Sequence, residues 1–389
     1  MNILFLMGKY PGVGGVEVVS TVLANEFIRE GFGVSLVSFE QPTNEKVPIP
    51  LSEKVKFYPL QKPVSSATNV TKLHTILVGD NIDILINQWV VPYYVARLCS
   101  RAMKGTKCKM IGVHHNLPNS NFQIEQVRID LRNHTGCRLV NYLRLFLVTL
   151  ASRLSLRYTI SQCAKYITLS PSFISIAQRF TWKSNDSERF CTIANPLTIE
   201  PYDGEHICKK NEIIYVGRIE YNQKCTYRIV DIWEKLENQY PSWCLKIVGD
   251  GPDRDDLQGR IHKKGMKNIT IEGFQKPNAY YKDAKLLLMT SAYEGFPLII
   301  AEGMEYGVVP LVFDSFPTVH DIIDDGLNGF IIPPPYSDDA FVAKMDLLMQ
   351  NEKLFVNMSE SAMLKAKDFS LEQIVGKWKR LLLDVINNK

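Results

Sequence analysis

The sequence predicts an α/β protein of two domains, on three observations. The chain has 389 residues, too many for one ordinary hydrophobic core. Short apolar runs repeatedly meet a glycine-rich turn and then a helix-like stretch, as parallel strands buried on both faces do. That pattern lapses at Asn195-Pro196 and Pro201-Tyr202-Asp203-Gly204, which read as a linker, and restarts at Glu212.

Composition narrows the class. Hydrophobic residues make up 46% and charged residues 22%, the balance of a soluble globular chain. A net charge of +4 gives no case for a nucleic-acid partner. The eight cysteines form no C-x-x-C pair, and no histidine cluster has zinc spacing, so reduced thiols and no structural metal are expected. Met1–Gly8 lacks a basic leader and reads as a first strand. No run reaches the roughly 20 apolar residues of a spanning helix. The nearest, Leu139–Leu154, is broken by Asn141, Arg144 and Arg153.

In the first half, strand Asn2–Met7 leads into Gly8–Glu17, where Gly12, Gly14 and Gly15 allow close backbone approach to a ligand, and then a helix to Arg29. G-x-G-x-x-G is not satisfied and the acid after the second strand, Val34–Phe39, is loosely spaced, which disfavours a nicotinamide cofactor. Strands Ile82–Ile86 and Lys109–Val113 follow, the second running into His114-His115-Asn116. That is the carboxyl edge of the expected sheet, where open α/β sheets bind ligands, so His115 is a site candidate. From Arg97 to Lys165 twelve bases face two acids. Arg138–Tyr158 mixes these bases with Leu, Val and Phe, the composition of a helix on an anionic membrane surface. Ala164–Leu169 and Phe190–Ile193 are the last strands of this half.

In the second half, strand Glu212–Val216 leads into Gly217-Arg218 and on to Lys224. Two bases six residues apart in a loop after a strand suit a diphosphate, Arg as a fork and Lys as a point charge. Strand Leu245–Val248 ends in Gly249-Asp250-Gly251-Pro252, and Ile269–Ile271 in Glu272-Gly273-Phe274. The apolar run Leu286–Met289 precedes Thr290–Gly307. There Gly295 makes a turn, Pro297 suits the first helical position, and the helix N-terminus favours an anion. Glu294 and Glu302 flank that point, and carboxylates accept hydrogen bonds from hydroxyls. Strand Pro310–Phe313, the turn Asp325–Gly329 and strand Phe330–Ile332 complete the sheet, and Leu371–Asn388 is a terminal amphipathic helix.

The motifs from Gly217 to Gly329, in this order, resemble the C-terminal domain of retaining glycosyltransferases of family 4, which have the GT-B fold. The resemblance covers most of residues 211–335, and rests in the first half on the Gly12–Gly15 loop and His115-Asn116. It implies an acceptor-side Rossmann-like domain over 1–196, a nucleotide-sugar domain over 197–370, and a helix over 371–389 returning to the first domain. The two domains would face each other across a cleft.

By motif, Arg218 and Lys224 are expected to bind the donor diphosphate, Glu302 the ribose hydroxyls and Glu294 the transferred sugar. Gly217, Asp250, Gly251, Gly295, Phe296, Pro297 and Leu298 would complete the donor site, with Gly273 and Phe274 beside the base. Gly14 and Gly15 would approach the diphosphate from the first domain, and His115 the donor sugar. The catalytic set is then His115, Arg218, Lys224 and Glu294, with no metal or cofactor.

The chain departs from the family where Ser315-Phe316-Pro317 stands for a Gly-Gly turn, Asp321 for a Glu, and Cys225 for the Gly after the phosphate-binding Lys. The expected activity is transfer of a hexose or N-acetylhexosamine, from UDP-sugar, to a glycan or lipid-linked saccharide. The expected location is the inner face of the cytoplasmic membrane, held by the basic 97–165 segment. A UDP-sugar 2-epimerase or a non-catalytic sugar-nucleotide binder are the alternatives. Acceptor choice is expected in loops about Pro42–Thr71 and Leu117–Thr135.

Overall fold

The computed structural model describes residues 1–12, 14–43, 49–132, 134–183, 186–202 and 209–387. Val13 of the glycine loop, Asp203 and Gly204 of the expected linker, part of the 42–71 loop and Asn388 lie outside the described residues. The chain divides into two compact units, Met1–Pro196 with Ile374–Lys389, and Leu197–Gln373.

The first unit holds seven strands: β1 (Asn2–Lys9), β2 (Gly33–Glu40), β3 (Lys56–Pro59), β4 (Ile84–Asn87), β5 (Lys109–His114), β6 (Lys165–Thr168) and β7 (Phe190–Thr192). They form one sheet in the order β3-β2-β1-β4-β5-β6-β7, every pair parallel. The order reverses direction between β1 and β4, the place where open α/β sheets leave a crevice at their carboxyl ends. Ile3–Leu6 and Ile84–Ile86 are wholly buried, so the central strands read as continuous apolar runs. The C-terminal helix Leu371–Asn387 packs its Trp378 against Phe27 (ring centroids 6.2 Å apart), and Lys109 Nζ donates to the Val385 carbonyl at 2.7 Å.

The second unit holds β8 (Glu212–Val216), β9 (Cys244–Val248), β10 (Ile269–Gly273), β11 (Leu286–Met289), β12 (Val309–Phe313) and β13 (Phe330–Ile332). Their order is β10-β9-β8-β11-β12-β13, again all parallel, with the reversal between β8 and β11. Leu286, Leu287, Leu288 and Met289 are at most 1% exposed. Each such side chain contributes about 1.5–3 kcal/mol through burial, which anchors the segment that follows.

Two first-half expectations need correction. The segments about 42–71 and 117–135, expected as loops, hold regular elements among their described residues. β3 and the start of the helix Ala67–Gly79 lie in one, and the helix Phe122–Arg132 in the other. β3 is an edge strand whose Lys56, Phe57 and Pro59 are exposed, so it carries no buried apolar run to read.

The basic segment also differs from its reading. Lys107 pairs with Asp83 at 2.7 Å, Arg128 with Glu125 at 2.5 Å, Arg144 with Asp130 at 3.6 Å and Lys165 with Asp384 at 3.4 Å. Arg153 stacks 4.2 Å over the Trp182 ring. Much of the charge is therefore engaged internally. The helix Arg138–Gln162 exposes many apolar side chains, Leu139, Val140, Leu143, Phe146, Leu147 and Leu154, with Leu139 at 79%, and among them the exposed Arg138, Arg144 and Arg157. By length and composition this helix is long and apolar enough to cross a membrane, although no apolar run of that length was expected.

Candidate active site

In the second unit the carboxyl ends of three neighbouring strands converge through glycines. Gly217 N–H donates to the Val248 carbonyl at 3.0 Å, and Gly249 N–H to that of Gly273 at 2.8 Å. A Cβ on Gly249 would lie 1.8 Å from the Gly217 oxygen, and one on Gly251 2.1 Å from the Ile219 oxygen. Gly249 also has φ +155°, a conformation that side chains disfavour. The Gly249-Asp250-Gly251 sequence thus exists to let two loops touch backbone to backbone. Asp250 accepts from the Gly251 N–H and pairs with Arg254 at 3.1 Å, which closes the turn.

The loops after β8 and β11 meet at the reversal point. Lys224 Nζ lies 2.6 Å from Glu294 Oε1, both side chains largely buried. Backbone bonds sew the loops together: Ala292 N–H donates to the Gln223 carbonyl at 2.7 Å, and Thr290 Oγ1 to those of Lys224 and Cys225 at 3.3 and 3.2 Å. Glu220 supports the first loop by accepting from the N–H groups of Asn222 and Gln223, at 3.1 and 3.2 Å. It also pairs with Arg218 at 3.2 Å, while the Arg218 side chain stays 61% exposed. Cys225, where the family carries Gly, sits at φ +52°, a left-handed turn that costs a non-glycine residue roughly 1–2 kcal/mol.

Pro297 caps the helix Leu298–Glu305 from outside; it is not its first residue, as had been expected. Its ψ of 95° is extended, and the chain turns helical at Leu298. The Ser315-Phe316-Pro317 departure acquires a reason. Ser315 Oγ donates to the Ser291 carbonyl at 2.5 Å and Thr318 Oγ1 to that of Gly295 at 2.8 Å, so hydroxyls brace the Glu294–Gly295 turn. Phe296 is buried against Phe369, with ring centroids 5.6 Å apart. Phe274 instead is 78% exposed after Gly273, which has φ +74°.

Glu302 is buried and accepts from Thr198 Oγ1 at 2.7 Å and from Tyr281 O–H at 3.4 Å. Burial raises its pKa, and these hydrogen bonds hold it back only in part. A carboxylate kept in such a place is poised to accept from hydroxyl groups.

Gly14, Gly15 and His115 belong to the first unit. Gly14 is the N-cap of the helix Gly15–Arg29, and Glu17 folds back over the glycine loop. A Cβ on Gly14 would lie 2.3 Å from Glu17 Oε2. At the β1–β4 reversal a cavity of about 310 Å³ opens, lined by Lys9, Glu17, Gln88, Trp89, His115 and Asn116 among others. His115 Nε2 lies 2.5 Å from Gln88 Oε1, and buried His114 bonds Tyr166 O–H through Nδ1 at 2.5 Å. Burial lowers both imidazoles, His114 to about 3 and His115 to about 4.

Glu17, Gln88 and Trp89 carry no motif that sequence reading uses, and only their place after β1 and β4 reveals them. Among the described residues no group of three or more His, Cys, Asp or Glu side chains is arranged to hold a metal ion.

Comparison with known proteins bears on this geometry. Residues 203–365 match the family described as glycosyl transferases group 1. An uncharacterized glycosyltransferase of Haemophilus influenzae is 26% identical over 97% of this chain and 99% of its own length. The amylovoran biosynthesis glycosyltransferase AmsD of Erwinia amylovora is 30% identical over 48% of this chain and 52% of its length. The solved structure of Anabaena HepE in complex with UDP-glucose superposes with a TM-score of 0.72 at 15% identity, covering 99% of this chain and 100% of the other. The fold is the pair of Rossmann-like units found in GT-B glycosyltransferases.

Proposed function

We propose that the chain is a glycosyltransferase of the group 1 kind that its residues 203–365 resemble, and that it moves a hexose or N-acetylhexosamine from a UDP-sugar to a glycan or lipid-linked saccharide, with retention. The observation that carries this is the meeting of Lys224 and Glu294 at the sheet's reversal point. A cation for a diphosphate and an acceptor for sugar hydroxyls lie side by side there. The UDP-glucose held by HepE supports the donor class, and the amylovoran biosynthesis in AmsD's name supports a biosynthetic acceptor.

The chemistry follows from charge. As the glycosidic bond breaks, the diphosphate gains negative charge while the sugar becomes oxocarbenium-like. Arg218, exposed beside Glu220, and Lys224 stabilise the leaving group together with the N–H groups at the start of Leu298–Glu305. Glu302 receives the ribose hydroxyls and Glu294 those of the transferred sugar. Gly273 and Phe274 border the base. No carboxylate attacks; the acceptor adds on the face the diphosphate leaves, and a phosphate oxygen takes its proton.

Two protein cations at the diphosphate would take the role of a metal, so activity is expected to persist in EDTA, and strict metal dependence would reject this part of the reading. Incubation with a panel of nucleotide sugars, followed by release of the nucleotide and by anomeric NMR of the product, tests the reading. Failure of every nucleotide sugar to bind or turn over rejects it.

The acceptor class fits a cytoplasmic site on the inner membrane face. The apolar face of Arg138–Gln162, with Arg132 and Arg138 near its start, is the surface proposed to rest on anionic lipid.

A further inference from the structure

The cavity of the first unit holds a feature that no motif marks. Gln88 follows β4 and is fixed by its own N–H to the Leu6 carbonyl at 2.9 Å. It is 6% exposed. Trp89 beside it is held by its N–H to Asn87 Oδ1 at 2.9 Å, and a Cβ on Gly8 would lie 3.0 Å from the Trp89 ring. Gln88 therefore has little freedom, and its amide oxygen faces His115 Nε2 at 2.5 Å.

An amide oxygen only accepts, so the imidazole nitrogen facing it carries the proton. In a neutral ring the other nitrogen, Nδ1, then carries a lone pair. His115 Nδ1 and Gln88 Nε2 are both buried, and neither has a hydrogen-bond partner among the described residues. Leaving such an atom unpaired costs roughly 1–3 kcal/mol. One bare acceptor and one bare donor thus sit together in residues that line one cavity.

We propose that Gln88 is a positioning residue that fixes His115 as the Nε2–H tautomer, so that Nδ1 accepts a proton-bearing hydroxyl of a sugar while Gln88 Nε2 donates to a neighbouring sugar oxygen. The cavity then reads a neutral polyol. A phosphate oxygen, having no proton to donate, meets a lone pair at Nδ1 and is disfavoured. The low pKa of about 4 keeps His115 neutral across physiological pH, so it orients a hydroxyl and does not carry its proton. The sugar assignment rests on the glycosyltransferase reading; the tautomer assignment does not.

The test has two arms on the full chain. Long-range ¹H–¹⁵N correlation of ¹⁵N-histidine-labelled protein needs no substrate. It is expected to show His115 protonated at Nε2 only, from about pH 5 to 8. Gln88→Leu is expected to lose that preference, and Gln88→Glu to make His115 doubly protonated at neutral pH. A protonated Nδ1 in wild type, or an unchanged tautomer in Gln88→Leu, overturns the proposal. The second arm follows release of UDP from UDP-glucose, UDP-galactose and UDP-N-acetylglucosamine. For whichever donor is turned over, Gln88→Glu is expected to lose at least tenfold in kcat/KM at pH 7 and recover as pH rises, while circular dichroism stays native. A pH-independent loss in Gln88→Glu overturns the role in substrate reading. If no donor is turned over, the glycosyltransferase reading fails while the first arm still decides the tautomer.

Discussion

Lys224 Nζ and Glu294 Oε1, seventy residues apart in sequence, meet at 2.6 Å where the second sheet reverses its strand order. Each neutralises the other in a largely buried place, which puts strong constraint on any change there. Removing one partner of a buried pair leaves a charge without compensation, at about 3 kcal/mol. Lys224→Ala is expected to lower the melting temperature and to slow glycosyl transfer by at least about 100-fold. The double variant Lys224→Met with Glu294→Gln removes the orphan charge and is expected to regain stability without regaining turnover. Near-normal turnover in Lys224→Ala would reject the diphosphate role. Thermal melts beside kinetics separate the two effects.

Glu302 offers a pH signature. Burial raises its folded-state pKa above the unfolded value, so the folded state holds its proton more tightly. Its contribution to stability is then fully present below the unfolded carboxyl pKa and is lost as pH rises through the folded pKa. Glu302→Gln, which stays neutral, is expected to melt higher than wild type at pH 7 and to converge with it near pH 4. The same variant is expected to bind UDP more weakly. A variant that is no more stable at pH 7, by calorimetry across pH, would contradict the buried-acid account. Unchanged UDP affinity by titration calorimetry would remove Glu302 from the donor site.

These two residues also show what the sequence discloses. Strand Leu286–Met289 was legible because four consecutive buried apolar residues leave no polar alternation. The glycine turns were legible because only glycine tolerates the backbone approach at Gly249 and Gly251. The direct pairing of Lys224 with Glu294 was not, since it depends on which strands become neighbours, and neither was the Thr198 bond to Glu302. β3 escaped because an exposed edge strand buries little. In the basic segment the count of charges already included Glu125 and Asp130, but it could not show that Asp83 and Asp384, from outside the segment, pair with Lys107 and Lys165.

The proposed membrane surface therefore turns more on Leu143 and Phe146 than on arginine number. Both are exposed on Arg138–Gln162, and burying a Phe or Leu side chain contributes about 1.5–3 kcal/mol. Phe146→Glu is expected to weaken co-sedimentation with anionic vesicles roughly tenfold or more, leaving the melting temperature unchanged. High salt is expected to reduce binding only in part, because the apolar contribution is not screened. Wild-type protein that stays in solution with anionic vesicles would reject this surface.

The glycine junction gives a prediction that needs no ligand. Gly249 has φ +155°, and any Cβ there would lie 1.8 Å from the Gly217 oxygen, far inside contact distance. The obstacle is backbone and not a flexible side chain, so relief requires the β8 and β9 loops to separate. Gly249→Ala is expected to destabilise the protein by more than about 3 kcal/mol, at the severe end for point substitutions. Gly259 is the internal control. It lies exposed inside the helix Arg254–Lys263, and a Cβ there would meet nothing within 4 Å. Gly259→Ala is expected to stabilise by about 0.5–1 kcal/mol, by helix propensity and a less flexible unfolded chain. Denaturant titrations of both variants measure the contrast. Equal and small effects would mean that the loops after β8 and β9 do not approach as described, and the diphosphate site proposed on Gly217-Arg218 would lose its frame.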